Sequence, residues 1–178
     1  MASLLFSPSG RIGPAAFLKG TAILAGISAI ITIIPMFSYQ LGGLLSLVSI
    51  VLLVPFFMLL IKRLHDSGKS GWLSILFLIL IVIVAAALQN VASSMFGGSA
   101  MAEMKAASEE IATSGAGLGE MVAATAELAE TYGPAIAKST AIPSAIAGFV
   151  GTMVGAFIVN LILKQDGHEN QYGHPPAA

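Results

Sequence analysis

One stretch concentrates the residue types that chemistry uses. Lys62-Arg63-Leu64-His65-Asp66-Ser67-Gly68-Lys69-Ser70-Gly71-Trp72 packs three cations, an imidazole, a carboxylate, two hydroxyls and an indole into eleven residues. Four chemistries can be asked of it. His65 and Asp66 are suitable metal ligands, with His168 and His174 as further imidazoles, but adjacent residues rarely converge on one ion. A Ser–His–Asp hydrolase needs convergence in space that adjacency does not supply. Gly68-Lys69-Ser70 matches the last three positions of a phosphate-binding loop, yet Arg63 stands where the upstream Gly is required and no strand precedes it. A cationic cradle for anionic lipid headgroups needs only Arg63, Lys69 and a nearby interface. No catalytic residue, metal or cofactor is assigned on this reading.

Each residue of the stretch also has a structural task in a turn between two helices. Lys62 and Arg63 suit a helix C-terminus, where cations meet the negative end of the dipole and can snorkel. Asp66 is positioned to cap the next turn or to pair with Arg63 or Lys69. Gly68 and Gly71 allow backbone geometry that other residues resist. Ser70 can cap the following helix, and Trp72 suits a membrane interface.

The flanking sequence says what positions this turn. The 178 residues are 56% hydrophobic and only 10% charged, against about a quarter charged in a soluble domain. The mean hydropathy is +0.90. Apolar residues come in unbroken runs rather than stripes, and a helix apolar all round needs apolar solvent. The expected fold is therefore an all-α, four-span membrane bundle. No basic tract with interleaved aromatics exists, which argues against nucleic acid. There is no Cys, which excludes disulfides, thiolate metal sites and Cys nucleophiles.

The division predicted is as follows. Residues 1–16 form an N-terminal segment carrying Arg11. Residues 17–92 hold three spans (17–37, 41–61 and 72–91), with the polar loop 62–71 between the second and third. The first span follows a turn at residues 7–10 and reads as retained, because it is too long for a signal peptide and no small-residue cleavage site closes it. Pro55 frees the carbonyl of Val51 and kinks the second span; a packing kink is the plain reading, a gating hinge the sharper one. Residues 93–140 form an acidic insert of two amphipathic helices. One carries Met101, Met104, Ser108 and Ile111. The other carries Leu118, Met121, Val122, Thr125, Leu128, Ala129 and Tyr132 and ends at Gly133-Pro134. Residues 141–163 are the fourth span, where Gly148, Gly151 and Gly155 allow close helix contact, within the bundle before dimerisation. Residues 164–178 read as a poorly ordered tail.

Four spans put both termini on one side, together with Arg11, Lys19, Lys62, Arg63, Lys69 and Lys164. Lys105, Lys138 and six Glu lie opposite. The positive-inside rule assigns the termini and the 62–71 loop to the cytoplasm and the insert to the outside. The spans hold no ionisable residue between their ends, and no internal repeat is evident, which argues against an ion-coupled carrier.

The segment Arg63 to Trp72 resembles the central motif of the YhaH-like family of small bacterial inner-membrane proteins, a domain of unknown function. Phe6 with Gly10-Arg11-Ile12 and Phe17 is similar to that family's N-terminal Gly-Arg segment. Asn170-Gln171-Tyr172-Gly173 with Pro175 and Pro176 is similar to its C-terminal ending. A second Arg and a Trp usual after Gly-Arg are replaced here by Pro14 and Leu18, and the insert is longer than expected. The resemblance implies residence in a bacterial inner membrane and supplies no catalytic residues. The expected function is a non-enzymatic membrane scaffold or interaction module, whose turn (Arg63, His65, Asp66, Gly68, Lys69, Ser70, Gly71 and Trp72, with Arg11) contacts anionic lipid headgroups, a membrane-protein partner or a second copy. A small transporter or channel is the alternative.

Overall fold

The computed structural model describes residues 7–176; Phe6 of the family resemblance lies outside them. Six α-helices follow in order among the described residues: α1 Pro14–Ile33, α2 Tyr39–Val51, α3 Leu53–Asp66, α4 Ser74–Phe96, α5 Gly98–Thr113 and α6 Leu118–Ile162. Short 3-10 turns at Ile34–Met36 and Gly71–Leu73 extend α1 and precede α4. The spans Pro14–Met36, Tyr39–Asp66, Gly71–Phe96 and Leu118–Ile162 are each long and apolar enough to cross a membrane. The protein is an all-α, multi-pass membrane bundle.

The helix boundaries follow from local chemistry. Pro14 begins α1, where its missing N–H costs nothing. The second span carries the irregularity expected at Pro55, although Leu52 stays in the right-handed helical region and its N–H still donates to Val48 O at 3.2 Å. Pro55 cannot donate to the Val51 carbonyl, and α2 and α3 are divided at Leu52, one turn before it. The polar loop predicted over 62–71 is half helix, because α3 runs on to Asp66. It then closes in a Schellman turn: Lys69 N–H donates to Leu64 O at 2.9 Å and Gly68 N–H to His65 O at 3.1 Å. Gly68 takes the left-handed conformation this turn requires, with φ +68°.

The fourth span differs most from expectation. Gly133-Pro134 does not end a helix, and α6 continues for 45 residues from the insert through the membrane span. At 1.5 Å per residue that is about 67 Å, more than twice a hydrocarbon core of about 30 Å. Pro134 is tolerated because the carbonyl it frees belongs to Glu130, on an exposed turn that water can reach. Gly133 is a seat for the Tyr39 ring: a Cβ there would stand 2.3 Å from its hydroxyl.

The insert is therefore a hairpin of α5 and the first half of α6. Its seams are narrower than predicted, since a pair of helices buries only a thin stripe. Met101, Met104 and Ile111 are half-buried, but Ala107 replaces Ser108 in the seam; Leu118, Val122 and Thr125 face outward.

Below the hairpin, α6 packs antiparallel against α4. A Cβ on Gly151 would fall 2.6 Å from the Ala85 backbone, one on Gly155 2.9 Å from the Ile81 backbone, and one on Gly148 2.3 Å from the Gln89 amide. The glycine face thus lies against α4. The core of Phe17, Leu24, Leu59, Leu64, Val159 and Leu163 gathers at the opposite end from the hairpin. Lipid is as apolar as Leu, so van der Waals packing and polar bonds carry this association.

Candidate functional site: a buried arginine clasp and an aromatic groove

The polar turn is built from four parts of the chain. Arg63 and Asp66 sit one turn apart on α3, facing inward, and are 1% and 0% exposed. Arg63 Nη1 donates to Asp66 Oδ2 at 2.8 Å. Its Nε donates to Asn160 Oδ1 at 2.7 Å, and its Nη2 donates to the Leu163 carbonyl. Asn160 uses its amide to reach the Pro14 carbonyl at 3.2 Å. Arg63 therefore caps the C-terminus of α6, where a cation also meets the helix dipole.

Arg11 approaches Asp66 from the other side. Its Nε and Nη2 both donate to Asp66 Oδ1, at 3.3 and 3.2 Å. Nη1 donates to the carbonyls of His168 and Gly173 at 2.7 and 3.0 Å, and Nη2 donates to that of Asp166. One carboxylate thus holds two guanidinium groups, each bonded further to backbone oxygen. A buried ion pair persists only when such bonds satisfy its remaining donors.

The tail predicted to be poorly ordered folds across this cluster. Asp166 N–H donates to Asp66 O at 2.8 Å. The Asn170 side chain donates to His65 O at 3.1 Å and to Asp166 Oδ2 at 3.2 Å, and accepts from Tyr172 N–H at 2.9 Å. The Asp166 carboxyl is held below the usual carboxylate range, first by the His168 backbone N–H at 3.0 Å and then by the Asn170 amide. Tyr172 lays its ring on His65, with centroids 3.7 Å apart and planes 6° from parallel.

His65 and Asp66, adjacent in sequence, face different neighbours. His65 Nδ1 lies 3.3 Å from the Gly10 carbonyl, which fixes the proton on Nδ1 in the neutral ring. Its Nε2 faces Gly71, where a Cβ would come within 3.3 Å of it and within 3.1 Å of Ile61. Ser70 accepts from Trp72 N–H at 3.5 Å. Lys69 and Trp72 project outward, Trp72 with 82% of its surface exposed. Among the described residues no group of three or more His, Asp or Glu is arranged to hold a metal ion.

The structure thus divides the turn in two. Arg11, Arg63 and Asp66 are interior, so the cations expected at the surface reduce to Lys69. Asp66 pairs with both arginines and not with Lys69. Lys69, Ser70 and Trp72 face out, beside a groove of about 390 Å³ lined by Phe57, Ile61, His65, Ser74 and Tyr172. Sequence reasoning did not assign Asn160 or Asp166 to the cluster. Asn160 carried a signal, as the sole side-chain amide in its span, because an amide in lipid needs a partner.

The four apolar spans make this a multi-pass membrane protein. The model described as "Protein of unknown function (DUF805)" matches residues 5–174, nearly the whole chain. The protein belongs to that family. Neither the curated proteins nor the solved structures yield a match.

Proposed function

We propose that the protein is a non-enzymatic interaction module of the bacterial cytoplasmic membrane, with both termini and the 62–72 turn inside the cell. One observation carries this reading. Lys62, Arg11, Arg63 and Asp66 are all buried at this end of the bundle, and Asp66 joins the two arginines, which bond further to backbone carbonyls, while residues 20–61, 73–102 and 139–163 contain no charge at all. A transport path or a lipid-cleaving site would use polar groups facing a cavity. Here Asp66 and the two arginines hold the chain ends together and leave Lys69, Ser70 and Trp72 as the outward surface. The sidedness rests on six of the eight Lys and Arg lying at the clasp end.

The surface contacts anionic headgroups. Lys69→Glu then lowers the anionic lipid retained through mild detergent purification at least about fivefold, since loss of the cation alone is worth about 1 kcal/mol at a charged surface and the new carboxylate adds repulsion. Unchanged retention would remove the headgroup contact. Solute flux through proteoliposomes would replace the whole reading with a channel, and a reporter fused after Ala178 that is active only outside the cell would reverse the sidedness.

A further inference from the structure

The groove beside the turn has a graded lining. Phe57, Ile61 and His65 are four residues apart on α3 and form one row along its outer face. The row spans two turns, about 12 Å, close to the depth of one leaflet of a core about 30 Å thick. Phe57 and Ile61 are apolar and lie toward the middle of the span. His65, Ser70, Trp72 and Tyr172 make the other end. That end sits where α3 stops and α4 begins, and the exposed Lys69 precedes the rim residue Ser70 in the chain.

Two further features keep the groove open. Gly71 carries no side chain at a point where even a Cβ would press on Ile61 and on His65 Nε2. The Tyr172 ring, stacked on His65, forms a wall that only the folded tail supplies. A groove with an apolar floor within the leaflet and a cationic, hydroxyl-bearing rim at its surface matches one molecule class that surrounds every multi-pass protein.

Resting on the headgroup contact above, we propose that this groove binds a single anionic glycerophospholipid, with one acyl chain along Phe57 and Ile61 and the phosphate at Ser70, Trp72 and Lys69. The clasp sets the groove's shape through the tail, and the lipid is a resident ligand rather than part of the general lipid shell.

The protein's sole tryptophan is Trp72, so its fluorescence reads this rim without labelling. The full-length protein in detergent micelles is titrated with brominated phosphatidylglycerol and, separately, brominated phosphatidylcholine. Saturable quenching is expected with the first, at a lipid fraction about fivefold lower than with the second, the effect of one cation. Ile61→Phe fills the floor and raises the half-saturating fraction roughly tenfold, the worth of about two buried methylenes, with Lys69 untouched. Phe57→Ala removes the floor and weakens binding in the same direction, which keeps the test open if Ile61→Phe does not fold. Glycerol phosphate, the headgroup alone, fails to displace the lipid.

Displacement by glycerol phosphate would make this a soluble-phosphate site and overturn the proposal. Quenching that never saturates and ignores both floor variants would also overturn it. If Lys69→Glu still abolished the preference for phosphatidylglycerol in that case, the general headgroup contact would survive its loss. If Lys69→Glu changed nothing, both would fall.

Discussion

The two ends of the bundle use charge in opposite ways. At one end Arg11, Arg63 and Asp66 are nearly free of solvent and bonded to each other, to Asn160 and to the carbonyls of Leu163, His168 and Gly173. At the other, Glu103, Glu109, Glu110, Glu120, Glu127 and Glu130 ride exposed on the α5–α6 hairpin. The first set holds distant parts of the chain in one arrangement. The second set solvates two helices that meet only along a thin apolar seam. Charge count is similar at the two ends; burial decides which charges are structural.

The largest effect that sharpens this contrast is expected from Arg63→Ala. It leaves Asp66 buried with one partner and orphans both Asn160 Oδ1 and the end of α6, at a cost of about 3–5 kcal/mol. Thermal unfolding in detergent measures it, and Arg63→Lys does not rescue, because an ammonium cannot bridge three acceptors in the guanidinium plane. A loss under about 1 kcal/mol would dissolve the distinction between the ends.

A smaller effect lies at the clasp's outer edge. The Asp166 carboxyl is more acidic in the folded tail than in an unfolded chain. Its contribution is complete above the ordinary Asp value of about 3.9 and is lost as pH falls through the lowered folded value. The protection of amides 164–174 against hydrogen exchange, relative to the intrinsic rate at each pH, should therefore fall only on acidification below about pH 4, while the hairpin shows no change tied to that group. The smallest effect is expected on the hairpin itself. Glu127→Gln with Glu130→Gln changes stability by no more than about 0.5 kcal/mol, as for ordinary surface positions. A drop several times larger in the same melting assay would mean that the acidic end is also held together by charge.

How much of this was legible varies by element. The four spans were readable because an apolar run of about 20 residues has few soluble alternatives. The stop of α3 was marked by Gly68, although the helix runs five residues past the expected end of the span at residue 61. The break at Gly133-Pro134 was misleading. Those residues usually end helices, but here Gly133 receives Tyr39 and the carbonyl freed by Pro134 faces water. The tail was the hardest to foresee, since its polar, Gly- and Pro-containing sequence looks like a loose end until Arg11 and His65 are brought to it.

Composition and periodicity alone determined that the chain is helical, crosses a membrane several times and gathers its cations at one end, because oil tolerates neither bare peptide groups nor isolated charge. Only the tertiary structure decided which cations stay exposed. A guanidinium and an ammonium in the same short turn look alike in sequence, and their fates divide when α3 turns Arg63 inward onto Asn160 and Asp66 while Lys69, past the Schellman turn, is left outside.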